Sequence, residues 1–512
     1  MNIEFDKSLG GSRLKLWLTW ALCCSLILAV ILPGLHLWPA VLQDEVQIID
    51  LGRAFLNPNT DWSITWSLVG GQANITPFYL GVIPQAIAYT LTEPSNYGPR
   101  LWSTFGAIMA SGLLMSWSLY RRTPKWAALV IAFVFLLDPI FNYSYRQGRS
   151  DSWALAAIIG ACLLLRIVIE RKKSKQNCKL PLFSSGMLTS LSLFVWPTTA
   201  ALFPLVFLEL FYVGRTGVNS TLERQFSSFR HVVVWFCLGG VVSAVVLLLP
   251  IIHRWEFIAA LWGTDFRVQS YAAHIQYSII GMYAIRNPMI VIAIATALLI
   301  RREYGLIFAT AVSLFMMSFT MIYPMRILYL LPYLVAILAG AYSQVAQDRS
   351  IRWRHATLVC VTALLLAWCA HISLIKRPVI AISQELSRSP QQIYQLMKDT
   401  IGEGEFRVLL VEWEMYYAAR QLGWKPYKLF GRIDRKSAGF SAFLDKMDYV
   451  IVRDKLIFKK EIRIQDLHDS GFEMLKTVSF PKPDQTIFEW GPYRIETTNA
   501  IYEDVMIFKN TK

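Results

Sequence analysis

Long apolar stretches alternate with short polar ones through the first three quarters of the chain. Runs at residues 14–34, 101–119, 126–141, 153–169, 182–213, 231–252, 288–300, 305–322, 327–345 and 356–375 carry little charge. Most approach the ~20 residues that take a helix across hydrocarbon. The run at 182–213 has room for two crossings around Trp196-Pro197, so the pattern predicts about eleven membrane helices. Beyond residue 375 the pattern changes: Phe406–Trp413 (FRVLLVEW) reads as a buried strand, 414–422 as a short helix and Asp448–Val452 as a second strand. The expected molecule is a polytopic α-helical membrane protein. A transmembrane module, 1–375, with outer loops 35–99 and 253–287, precedes a small C-terminal α/β domain, 376–512.

Composition agrees, with 55% hydrophobic and 17% charged residues in 512, which disfavours a string of soluble domains. The net charge of +15 invites a nucleic-acid reading, but most of the excess lies before residue 376, in clusters on every second loop. Lys7, Arg13 and Lys15 form one cluster, and Arg121-Arg122-Lys125, Arg171-Lys172-Lys173, Arg301-Arg302 and Arg349-Arg352-Arg354 form others. That alternation is the positive-inside pattern; it places the N-terminus in the cytoplasm and the C-terminal domain outside, and leaves no case for nucleic acid. The first apolar run lacks a small-residue cleavage site before Leu32-Pro33-Gly34 and is read as a retained helix. None of the seven cysteines lies beyond residue 375, so no disulfide framework is expected in the outer domain, and no spacing suggests zinc. A bacterial cytoplasmic membrane is the expected location, with the outer domain extracytoplasmic. Gly402 and Gly404 precede the first strand of that domain rather than following it, which does not make a phosphate loop.

Candidate chemistry is sought on the outer side. Asp44-Glu45 opens a helix-like stretch, VQIIDLGRAFL, and neighbouring carboxylates on a helix diverge by roughly 100°, so one acts and the other supports. The plain alternative is that both sit at a helix N-terminus for its dipole. Asp151 begins a membrane helix and needs a partner or a polar cavity; Arg146 and Arg149 just before it would serve as local ion-pair partners. Asp138, before Pro139, reads as a helix-end residue. Arg100 and Arg326 open helices on the outer side, where cations are disfavoured; they either snorkel to headgroups or bind a lipid phosphate. The 253–287 loop reads as an interfacial amphipathic segment whose His253 and His274 lack metal-ligand spacing.

In order along the chain these segments resemble the GT-C glycosyltransferases, in particular the glycosyltransferase family 39 group with the protein O-mannosyltransferases and the lipid A aminoarabinose transferase. Asp44-Glu45 resembles that family's acidic pair, Thr76-Pro77-Phe78-Tyr79 a degenerate Pro-Pro-Leu-Tyr, and Pro99-Arg100-Leu101 its Arg-Leu. Arg149-Ser150-Asp151 resembles its Arg-Pro-Asp, and Arg326 with Tyr329-Leu330-Leu331-Pro332 its Arg-Tyr-Leu-Leu-Pro. One departure stands out: Asn74-Ile75 occupies the place of a donor-binding Lys. The resemblance implies inverting transfer of a sugar from a polyprenyl-phosphate donor in the bilayer to a glycan, lipid or protein acceptor. Asp44 would be the general base, with Glu45 the second choice and Asp151 orienting the acceptor or the loop. The donor phosphate would fall to Arg149, Arg326, Arg100 and Arg146. No cofactor is required, although a divalent cation such as Mg or Mn could assist. The rival functions are a transporter or flippase for a lipid-linked saccharide, a ligase or polymerase using a diphosphate-linked glycan, and a non-catalytic assembly subunit.

Overall fold

The computed structural model describes residues 7–512 except 42, 58–76, 93–94, 217–221, 255–280, 282, 319–323, 348–351, 384, 386–388, 411–412, 428–441, 454–463, 481–485, 491–492 and 497–503. Asn74, Ile75 and Thr76, and most of the 253–287 loop, His274 included, lie outside the described residues. The chain divides into two compact units: Met1–Leu32 with Ser103–Tyr145 and Ser150–Ile375, and Pro33–Trp102 with Arg146–Arg149 and Lys376–Lys512.

The first unit is helical. Among the described residues, six helices are long and apolar enough to cross a membrane: Leu14–Gly34, Asp151–Lys173, Pro197–Arg215, Phe229–Leu248, Arg326–Gln347 and Arg352–Ser383. A seventh forms if the bent pair Lys125–Leu137 and Pro139–Tyr145, which turns by 59°, counts as one. Tyr79–Leu91, Lys179–Val195, Pro288–Ile300 and Tyr304–Met317 are apolar but shorter. Among the described residues, full-length spans thus number six or seven, with four shorter apolar helices beside them, where the sequence predicts about eleven crossings. The 182–213 run breaks at Trp196-Pro197 as expected: one helix ends at Val195, and a 3-10 turn starts at Pro197 and leads into Phe203–Arg215. Proline has no N–H to continue the first helix and is at home in the first turn of the next.

Two of these helices meet through glycine. A Cβ at Gly186, on Lys179–Val195, would fall 1.9 Å from the carbonyl oxygen of Phe236 on Leu222–Leu248, and one at Gly239 would fall 1.9 Å from that of Phe183. Small residues let backbones approach where lipid removes the hydrophobic drive. The outward side chains, Leu22, Val245 and Phe308 among them, are apolar and exposed, as a lipid-facing surface requires. One cluster of charges inside the unit is paired. Glu209, fully buried, accepts from Arg121 Nη1 and Arg166 Nη2 at 2.9 Å each, while Arg301 meets Glu303 at 2.9 Å and Arg121 approaches Glu303 at 3.8 Å.

In the second unit, α1 (Gln43–Leu56) packs on α2 (Tyr79–Leu91). Gly52 makes this contact close: a Cβ there would sit 2.2 Å from the Val82 carbonyl oxygen. The C-terminal part is built on a five-stranded sheet in the order β2-β1-β3-β7-β4. Its strands are β1 (Arg407–Leu410), β2 (Lys425–Tyr427), β3 (Tyr449–Arg453), β4 (Phe472–Val478) and β7 (Val505–Asn510). A separate antiparallel pair holds β5 (Thr486–Trp490) and β6 (Tyr493–Glu496). β2, β1 and β3 run parallel, and β7 is antiparallel to β3 and β4. Val408 and Leu410 face a core with Ile393 and Met397 of the helix Pro390–Thr400, while Leu409 faces another with Leu444, Met447 and Leu467. A strand covered on both faces reads as an unbroken apolar run, which is why VLL looked buried. The expected α/β character is present, with β1 shorter than the FRVLLVEW run and the short helix at Tyr416–Gln421.

Gly52→Ala is expected to lower stability by about 1–3 kcal/mol, because a methyl group there overpacks the α1–α2 contact; thermal unfolding of the purified protein measures it.

Candidate active site

The two carboxylates of the acidic pair sit in opposite surroundings. Glu45 is fully buried and receives both prongs of Arg100: Nε donates to Oε1 at 2.9 Å and Nη2 to Oε2 at 2.8 Å. Arg100, equally buried, gives its third branch, Nη1, to the Leu35 carbonyl at 2.8 Å. The Tyr417 hydroxyl, from the helix Tyr416–Gln421, adds a bond of 3.0 Å to Glu45 Oε1. Burial pushes the Glu45 carboxyl above its ordinary 4.5, while Arg100 and Tyr417 pull it back down. Asp44, one residue earlier, keeps a 39% exposed side chain and pairs with Arg149 Nη1. The ~100° between successive helical side chains is what lets one carboxylate be enclosed and its neighbour open.

Further along α1, Asp50 accepts from the Tyr416 hydroxyl and from Arg53 Nη1 at 3.3 Å, with Arg420 Nη2 3.7 Å away. Tyr416 and Tyr417 join Val41, Val46, Ile49 and Tyr89 in one apolar cluster. Consecutive tyrosines of the C-terminal domain thus bind two carboxylates of the helix that carries Asp44. Sequence reading missed both, since two aromatics on a short helix carry no signal of their partners.

Arg146 is fully buried; its Nη2 donates to the Gly34 carbonyl at 3.1 Å, and its guanidinium stands 4.8 Å from the Trp38 ring. Arg377, also missed, lies 4.5 Å from the same ring. Gly148, at φ +66°, makes the left-handed turn between Arg146 and Arg149, a conformation glycine adopts at no steric cost. His36 is half-buried; burial and the Arg100 charge hold its imidazole below the ordinary 6.5, with Glu385 opposing.

Within the other unit, Asp151 is fully buried at the start of Asp151–Lys173. Ser144 Oγ donates to its Oδ2 at 3.1 Å and the Tyr329 hydroxyl to its Oδ1. Arg326 lies in the 3-10 turn Pro324–Leu330 that carries Tyr329, and is partly exposed. Arg149, weighed as a local ion-pair partner, pairs with Asp44. Asp138 is the helix-end residue its place before Pro139 implied: Oδ1 accepts from the backbone N–H of Ile140 at 2.9 Å and Phe141 at 3.1 Å. Its Oδ2 takes the Tyr283 hydroxyl at 2.8 Å and Asn287 Nδ2 at 3.1 Å. Among the described residues no three His, Cys, Asp or Glu side chains cluster as a metal site.

Breaking the Arg100–Glu45 fork leaves a buried charge without its counterpart, so Arg100→Leu is expected to cost about 3–5 kcal/mol in thermal unfolding. His36 gives a pH signature. Its lowered proton affinity in the folded state leaves stability intact above about pH 6.5 and reduces it as pH falls below that value. Thermal melts of His36→Gln between about pH 7 and 5 should fall less steeply than those of the wild-type protein.

No protein-family model matches the chain, and neither does any curated protein sequence. Its fold does match solved structures. ArnT from Cupriavidus metallidurans bound to undecaprenyl phosphate superposes with a TM-score of 0.58 at 11% identity, covering 96% of this chain and 98% of that one. The same protein in the apo state gives 0.54 at 11% identity over the same shares. The chain therefore shares the fold of ArnT over nearly the full length of both proteins.

Proposed function

We propose that this protein is an integral-membrane glycosyltransferase that moves a sugar from a polyprenyl-phosphate donor to an acceptor on the extracytoplasmic face of a bacterial cytoplasmic membrane. The observation that carries the reading is the division of labour in the acidic pair, on a fold shared with a protein bound to undecaprenyl phosphate. Glu45 is held by Arg100 and Tyr417, whereas Asp44 is open and beside a cation.

Asp44 takes the proton of the attacking hydroxyl or amine as that group adds to the anomeric carbon with inversion, and the lipid phosphate departs. Glu45 is support, since its lone pairs are engaged. Arg149 and Arg146 are the cations offered to the leaving phosphate, whose charge grows in the transition state; Arg326 is assigned the same task. Arg100 is moved from that group to a structural one, because all three of its branches are bound within the protein. Asp151, fixed by Ser144 and Tyr329, is assigned to orienting the acceptor. A divalent cation between carboxylate and phosphate would supply further charge stabilisation, and Asp44 is the exposed carboxylate available to it.

The test uses purified full-length protein in liposomes with envelope lipid and glycan extract as acceptor. Release of undecaprenyl phosphate is followed from a panel of undecaprenyl-phosphate hexoses and pentoses, with undecaprenyl-diphosphate glycans in parallel. Release from the monophosphate donors is expected, and Asp44→Asn should lower it by ~10²–10⁴-fold. Wild-type rates in Asp44→Asn remove the base, and turnover of diphosphate donors alone makes the protein a ligase or polymerase.

A further inference from the structure

The fold already shared with known transferases accounts for a membrane site but gives the outer α/β domain no task. Two of its side chains enter the acidic-pair helix directly. Tyr417 is 2% exposed and donates to Glu45 Oε1 at 3.0 Å, the same oxygen that takes Arg100 Nε. Tyr416, equally buried, donates to Asp50 on that helix, where Arg53 and Arg420 also converge. The apolar contacts of Val46 and Ile49 with this junction are non-directional and tolerate rolling of α1 about its axis. Hydrogen bonds to carboxylates five positions apart do not, because each fixes a direction as well as a distance.

Rolling matters for Asp44. Its carboxylate lies roughly 6 Å from the helix axis, so a turn of about 10° moves it by about 1 Å, and a displacement of that size costs on the order of 10² in rate. We propose that the outer domain takes part in transfer through Tyr417 and Tyr416. They act as positioning residues that set the rotation of α1 through Glu45 and Asp50, and so fix where Asp44 points. The proposal rests on Asp44 being the reactive carboxylate.

A double-mutant cycle on the full-length protein in lipid tests it, with Tyr417→Phe, Glu45→Gln and the pair, and Asp44→Asn as reference. Turnover and KM are read from release of undecaprenyl phosphate, and folding from thermal unfolding. Tyr417→Phe is expected to lower kcat about ten- to a hundredfold with donor KM within about twofold, and to cost nothing further once Glu45 is Gln. A tyrosine that only docks the domain predicts a lowered melting temperature with kcat per folded molecule unchanged, or losses that multiply in the pair. Either overturns the positioning role. Where Tyr417→Phe yields too little folded protein, Tyr416→Phe with Asp50→Asn forms the same cycle with the same outcomes. If Asp44→Asn abolishes transfer while the cycle multiplies, the positioning role falls and the reading of Asp44 stands. If Asp44→Asn transfers at full rate, both fall.

Discussion

The second unit depends on the pairing of Arg100 with Glu45, two charges withdrawn completely from water. Such a pair is expensive to desolvate and holds only where every donor and acceptor is used. Here the guanidinium fork fits the carboxylate with two bonds, its remaining branch takes the Leu35 carbonyl, and Tyr417 fills a further lone pair. Four segments far apart in sequence are thereby joined at one point: the turn after the first helix, α1, the start of the Tyr97–Tyr120 helix and the C-terminal domain. Each partner is specified by geometry rather than bulk, since Arg offers bidentate, planar recognition that Lys does not.

That pairing also explains what happens to its neighbour. With Glu45 committed inward, the helix turn carries Asp44 to a more open position next to Arg149. A pair that looks redundant in sequence becomes a fixed anchor and an available acid. The same logic appears at Asp138, whose four bonds cap the Pro139–Tyr145 helix and tie it to Tyr283 and Asn287. There the carboxylate is wholly used in holding a bend.

Much of this was legible in the chain. Apolar run length and the placement of basic clusters give a membrane protein, and the VLL and VIV runs give strands covered on both sides. The acidic pair, Arg149, Asp151 and Arg326 stand out as candidates because charge at a membrane helix end is conspicuous. What could not be read were partners. Which carboxylate of Asp44-Glu45 is enclosed is decided by a hydroxyl 372 residues away, and nothing at Tyr416-Tyr417 announces it. Arg100 was read as a phosphate ligand because sequence shows a cation on the outer side but not the carboxylate that satisfies it. Arg377 beside Trp38 and Glu209 between two arginines were hidden within apolar surroundings for the same reason. The break in the long apolar run at Trp196-Pro197 was legible too, because proline cannot continue a helix's backbone hydrogen bonding.

The ionic set of Arg121, Arg166, Glu209, Arg301 and Glu303 carries a consequence for how the protein can change over time. Removing either glutamate strands arginine charge among membrane helices, whereas replacing several members together by apolar groups of matching volume is tolerable. No path of single substitutions leads easily from one arrangement to the other. The two glutamates are therefore expected to change only together with their arginine partners, as a block or not at all.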